Sequence, residues 1–88
     1  MMVNLVFYTK HDCPLCDRLR ELIHESLGRR WAEQVSITDV YIENDRELMK
    51  KYALRIPVVL YNERILFEGR PDAQTVQQAL AEIGLTTP

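Results

Sequence analysis

Two cysteines, Cys13 and Cys16, are the only thiols in this sequence. In Cys13-Pro14-Leu15-Cys16 they stand about one helical turn apart, close enough to close a small ring between them. The thiolate, not the thiol, attacks a disulfide, so such a pair becomes useful where its surroundings lower the pKa of the leading cysteine. A helix start does this, because its unpaired backbone N–H groups and positive dipole end favour negative charge. Pro14 suits the first helical position and places Cys13 near the cap. Lys10 and His11 add positive potential, while Asp12 and Asp17 oppose it. Cys13 is therefore the expected exposed nucleophile, and Cys16, further inside, the expected resolving thiol.

The flanking pattern supplies elements to hold this pair. Val3 and Leu5–Tyr8 form a nearly continuous apolar run, as in a strand buried on both faces, and Thr9–Asp12 is a short polar turn. Leu15, Leu19, Leu22, Ile23 and Leu27 then follow at helical spacing until Gly28. A basic connection, Arg29–Arg30, leads past Trp31 to a β-branched stretch, Val35–Ile42, read as a second strand. Asn44 and Glu47 have capping-box spacing before a short helix with Leu48, Met49, Tyr52 and Ala53 on its apolar side. Val58–Tyr61 and Ile65–Phe67, separated by Asn62-Glu63, read as an antiparallel hairpin opened by Pro57. Gly69 marks a turn, Asp72 caps a last helix with Val76, Ala79, Leu80 and Ile83 on one face, and Gly84 ends it. The order β-α-β-α-β-β-α implies a right-handed parallel βαβ unit followed by an antiparallel hairpin. The expected fold is α/β: one mixed four-stranded sheet with helices on both faces.

The whole chain limits what else the cysteines could do. Its 88 residues suit one domain, residues 1–88, with a modest core. Net charge is −2, from 11 basic and 13 acidic residues, so no strong field recruits nucleic acid or an anionic membrane. No apolar run approaches the roughly 20 residues of a membrane span, and Met1–Tyr8 lacks the basic leader and cleavage site of a signal peptide. The expected location is cytoplasmic, and the expected state a monomer. A purely structural disulfide would close so short a loop for about 2 kcal/mol before strain, a small return in a reducing compartment. A zinc site is the second alternative. His24 lies about 12 Å along the helix from Cys16 and cannot join both thiols on one metal, whereas His11 could. His24 is then a solvent-facing helix residue. Trp31 reads as a lid over the connection, and Tyr41, Tyr52 and Tyr61 as packing at the core edge.

The stretch Leu5–Cys16, with Arg55-Ile56-Pro57-Val58-Val59 and Gly69-Arg70-Pro71-Asp72, resembles a glutaredoxin of the thioredoxin-fold superfamily over nearly the whole chain. The resemblance implies a thioredoxin-like fold and thiol–disulfide exchange through Cys13 and Cys16. It implies that Pro57 is cis and faces the cysteines, with Ile56 presenting its backbone to an extended substrate. Lys10 matches a lysine that receives a glutathione carboxylate. Gly69 and Asp72 match two residues of the turn that binds the γ-glutamyl end, with Arg70 between them as a candidate carboxylate partner. The chain departs from that turn where Glu68 replaces a glycine and Pro71 a hydroxyl residue, and Leu15 replaces the motif's tyrosine. Arg55 and Arg70 could offset Glu68 by pairing with carboxylates.

Thioredoxin proper fits less well, since Asp12 stands where a tryptophan is usual and Met2–Tyr8 contains no acid. The Gly-Phe-Ser of cluster-holding monothiol glutaredoxins is absent. The expected substrates are protein or glutathione mixed disulfides, with glutathione as candidate co-substrate, no tightly bound cofactor, and a reductase as candidate partner. The alternative is a thioredoxin-fold adaptor whose cysteine pair is weakly redox-active or holds a metal or iron–sulfur cluster.

Overall fold

The computed structural model describes residues 2–85; residue 1 and residues 86–88, the ends of the expected domain and of the Met1–Tyr8 segment, lie outside the described residues. Four strands, β1 (Val3–Thr9), β2 (Val35–Tyr41), β3 (Val58–Tyr61) and β4 (Arg64–Glu68), form one sheet in the order β2-β1-β3-β4. β1 and β2 run parallel, joined through α1 (Pro14–Leu27) and α2 (Trp31–Gln34), while β3 is antiparallel to both β1 and β4. α3 (Arg46–Tyr52) leads into β3, and α4 (Ala73–Glu82) follows β4. This is the expected order with one further short helix, α2, in the Arg30–Gln34 connection.

Alternation along β1 divides the helices between the two faces. Phe7 lies beneath the Arg20 guanidinium of α1, 4.4 Å from its ring centroid, whereas Tyr8 meets Tyr52 of α3 edge-on at 4.8 Å. Neighbouring strand residues point to opposite faces, so α1 and α3 cover opposite sides of the sheet. α4 packs beside α1 and against β4. Leu5 and Phe7 are fully buried with Leu19, Ile23, Val58, Val59 and Val76 in a continuous core. The second face of β1 is only half-covered. There Asn4 is exposed, and its side-chain oxygen accepts hydrogen bonds from the Ser36 and Thr38 hydroxyls at 2.8 and 3.1 Å.

Several boundaries differ from expectation for local reasons. β2 ends at Tyr41, because Ile42–Asn44 tighten into a 3₁₀ turn that buries Ile42 completely. The cap of α3 is Asp45, not Asn44: its Oδ1 accepts the N–H groups of Glu47 and Leu48 at 2.9 and 3.1 Å. The 3₁₀ turn uses up Asn44, leaving the next acceptor residue to cap. His24 is half-buried rather than solvent-facing, stacked on Trp31 with centroids 3.7 Å apart. Burial, aided by the Arg20 charge, lowers its pKa. Asn62 and Glu63 both take positive φ, 49° and 67°, the conformation of a two-residue hairpin turn that matches strand twist.

Candidate redox site

Register brings the sequence-predicted residues to one end of the sheet. Thr9 pairs with Tyr41, Tyr8 with Val58, and Val58 with Glu68. The chain ends leaving β1, β2 and β4 and entering β3 therefore gather there. They carry Lys10–Cys13, Glu43, Glu68–Asp72 and the Ile56–Pro57 peptide bond, which is cis. The Gly69 N–H donates to the Pro57 carbonyl at 2.8 Å and ties two of these segments together.

Cys13 is the N-cap of α1, with extended backbone (φ −120°, ψ 92°) and Pro14 at the helix start. Its sulfur is joined to Cys16 in a disulfide, with Cα atoms 5.2 Å apart. The Cys13 Sγ also accepts the Cys16 N–H at 3.1 Å. A donor held there favours negative charge on that sulfur once the bond opens, adding to the helix dipole. The expected exposed nucleophile is largely covered: Cys13 keeps 8% of its surface and Cys16 1%. Cys13 is the more exposed of the two, and neither is widely open to solvent.

The loop before Cys13 is held by a contact that sequence reading did not find. The Glu43 carboxylate accepts the His11 backbone N–H at 2.8 Å and also pairs with His11 Nδ1. The His11 ring stacks on Tyr41 at 4.6 Å, so Tyr41, 37% exposed, is a platform for the loop rather than core packing. The backbone hydrogen bond from His11 chiefly holds the Glu43 carboxyl below its usual range. The available signal was the parallel βαβ unit, which aligns the ends of β1 and β2 and so brings the following residues together. The His11 side chain is thus engaged by Glu43. Lys10 is exposed and has no ion-pair partner among the described residues.

On the opposite flank, Arg55 holds Glu68 in a two-point pair, Nε–Oε2 2.9 Å and Nη2–Oε1 3.2 Å. Its guanidinium lies 4.9 Å from the Tyr52 ring centroid. Arg55 thus compensates Glu68 within the chain. Asp72 accepts the Thr75 N–H at 2.8 Å as the N-cap of α4, and that bond is the main cause of its lowered pKa. Arg70 is exposed and lacks a carboxylate partner among the described residues. Between this turn and α1 lies a groove of about 510 Å³, which also had no counterpart in the sequence reading. Its signal was the spacing of Leu15, Arg18, Leu19 and Leu22, one stripe of α1.

Among the described residues no three His, Cys, Asp or Glu side chains are grouped to hold a metal, and no helix is long and apolar enough to cross a membrane. The fold and the capped cysteine pair define the thioredoxin-like class. Protein XcR50 from X. campestris, solved by X-ray, superposes with a TM-score of 0.73 at 26% identity, over 89% of this chain and 96% of that one. The germline-specific thioredoxin Deadhead of Drosophila melanogaster shares the fold, with a TM-score of 0.55 at 19% identity over 93% of this chain and 81% of its own. The chain belongs to the Glutaredoxin-like domain family (DUF836), whose sequence model matches residues 4–81. It is 26% identical over 81 residues to a Methanothermobacter thermautotrophicus protein named "Probable Thioredoxin", covering 91% of this chain and 94% of the relative. It is 24% identical over 84 residues to a glutaredoxin-like protein of Dictyostelium discoideum, covering 92% of this chain and 78% of the relative. Family and paired cysteines together support a redox-type role.

Proposed function

We propose that the chain is a dithiol thiol–disulfide oxidoreductase that reduces protein or glutathione mixed disulfides. The observation that carries the reading is the Cys13–Cys16 disulfide at the cap of α1, at the same end of the sheet as the cis Ile56–Pro57 bond. In the reduced enzyme the Cys13 thiolate attacks one sulfur of the substrate disulfide. A Cys13–substrate disulfide forms and the other substrate sulfur leaves as a thiolate, which takes up a proton. The Cys16 thiolate then attacks the Cys13 sulfur, releasing the second substrate thiolate and leaving the oxidised pair. The substrate gains two electrons and the enzyme loses two. Glutathione or a protein dithiol reductase returns them.

Several groups support substrate binding in this reading. The Ile56 N–H is bonded to the Tyr52 carbonyl at 3.0 Å, so Ile56 offers its carbonyl to an extended main chain. Lys10 and Arg70 supply positive charge on either flank, and Gly69 and Asp72 shape the turn beside them. The reducing direction follows from the expected cytosolic setting.

Cys16→Ser protein, incubated with oxidised glutathione at neutral pH and weighed by intact mass spectrometry, tests the reaction. The expected result is a rapid, stable adduct of one glutathione on Cys13. A Cys13 that reacts no faster than an ordinary free thiol with both glutathione and protein disulfides overturns the reading.

A further inference from the structure

We infer that the groove between α1 and the Gly69–Ala73 turn receives the polypeptide flanking the substrate's disulfide, and that it selects an aliphatic residue beside the cysteine followed by an acidic one. This deepens the exchange reaction proposed above and rests on it.

One wall of the groove starts at Leu15, the residue next to Cys16. Leu15, 37% exposed and between the two cysteines in sequence, lines the end of the groove nearest the start of α1. Leu19 and Leu22, buried to 1% and 8%, form the floor further along α1. From Leu15 to Leu22 the helix rises about 10 Å, the span of roughly three extended residues. The facing wall is Pro71 and Ala73, apolar again, and Pro71 has no N–H to offer a ligand. Such walls take an aliphatic side chain and give a small polar tripeptide little to bind.

Charge decides what accompanies that side chain. Three ionic groups flank the groove. Asp72 is turned to its own helix, accepting the Thr75 N–H. Arg18 is shared with Glu21 and Glu25, at 3.3 and 3.9 Å. Arg70 lines the groove with no carboxylate partner among the described residues. Glu68, the nearest acid before it, is held by both contacts from Arg55. Asp72 keeps its charge but turns it to the positive N-terminus of α4, so Arg70 is the guanidinium of this wall open to a ligand, and the complementary occupant carries a carboxylate past its apolar residue.

Three peptides test this, each bearing its cysteine as a mixed disulfide with 5-thio-2-nitrobenzoate: Glu-Leu-Cys-Leu-Glu, Glu-Ala-Cys-Ala-Glu and Lys-Leu-Cys-Leu-Lys. The palindromic design makes the direction of binding immaterial. The Cys13 thiolate of the reduced Cys16→Ser protein attacks the peptide sulfur, forms the Cys13–peptide disulfide and expels the thionitrobenzoate, whose absorbance gives the rate. Each rate is divided by that of N-acetylcysteine with the same peptide. The Glu-Leu peptide is expected to exceed the Glu-Ala peptide about tenfold, the worth of an aliphatic pocket. It is expected to exceed the Lys-Leu peptide about fivefold, the upper range of an exposed charge pair. Arg70→Glu inverts the second ratio, and Ala73→Trp, which fills the groove, brings the first towards one. Equal normalised rates for all three peptides, each faster than N-acetylcysteine, overturn the groove while leaving exchange intact. Rates no faster than N-acetylcysteine overturn exchange as well.

Discussion

Two short segments flank the disulfide, and they are held in different ways. Lys10–Asp12, on the side of β2, is clamped from a distance: Glu43, 32 residues away, grips His11 through backbone and ring, and Tyr41 supports the ring. Asp12 takes a left-handed φ of 53° directly before Cys13, so the clamp fixes how the chain enters the motif. Glu68–Asp72, on the side of β4, is held by Arg55, by the Pro57 carbonyl and by the start of α4. There the internal bonds satisfy Glu68 and Asp72 and leave Arg70 facing a groove. In the exchange reaction proposed above, the first segment would place the nucleophile, whereas the second would offer a surface to its substrate. The departures from the glutaredoxin pattern, Glu68 and Pro71, fall in the second segment.

The most damaging change that separates the two is at Gly69. Its φ of +71° is a conformation that costs an L-residue about 1–2 kcal/mol, and a β-carbon there meets no atom within 4 Å. Gly69→Ala therefore carries backbone strain without a clash. It is expected to lower the thermal midpoint by about 5–10 °C in a chain of this size. Circular dichroism melts check this. In the peptide assay the variant should also shrink the Leu-to-Ala ratio, because the groove wall begins at this residue. A variant with full stability and an unchanged ratio would mean that the turn is looser than its bonds to Pro57 and Thr75 imply.

Next in size is the Arg55–Glu68 pair. Arg55→Ala leaves the Glu68 carboxylate uncompensated beside Arg70 and removes the guanidinium from the Tyr52 ring. Reaction with the acidic Glu-Leu peptide is expected to slow about threefold, and reaction with the Lys-Leu peptide to quicken, as for one half-exposed charge. Glu43→Gln removes a charge on the other flank. It should slow both peptides equally if the His11 clamp only positions Cys13. A charge-dependent effect of Glu43→Gln would erase the distinction between the segments.

How much of this was legible follows the range of the interactions. α1, its proline start, the cysteine cap and the Asp72 cap are set by residues within one turn of each other, and they were read directly. The hairpin was too, although Glu63 at φ 67° is a residue that bears the strain where glycine would relieve it. The cap of α3 lies one residue beyond Asn44 because the burial of Ile42, a tertiary event, decides where the 3₁₀ turn ends. His24 departs from the solvent-facing expectation because its stacking on Trp31 depends on α2, which has only four residues and a weak pattern of its own. The His11–Glu43 clamp and the groove both require two segments far apart in sequence. Composition signals neither, but strand register puts the clamp within reach and the helical stripe marks one wall of the groove.

Acid titration provides the smallest and most selective contrast. The carboxyls of Glu43 and Asp72 both lie below their ordinary values of 4.5 and 3.8 in the folded chain, each chiefly through a backbone N–H, from His11 and Thr75 respectively. A carboxyl with a depressed folded pKa binds protons more readily in the unfolded chain. Its contribution to stability is therefore complete above the unfolded value and fades as pH falls through the folded one. Denaturant midpoints should decline below pH 4.5 in the wild type, with a shallower decline in Glu43→Gln and in Asp72→Asn. Salt separates the two segments. Glu43 also faces the charges of His11 and Lys10, so part of its shift is ionic, whereas Asp72 is held by hydrogen bonds to Thr75. At 1 M salt, where the screening length is about 3 Å, the Glu43-dependent part of the acid slope should shrink more than the Asp72-dependent part. Equal shrinkage would mean that the clamp before the cysteines is no more ionic than the cap of α4, and that the two flanks of the disulfide differ in shape but not in electrostatics.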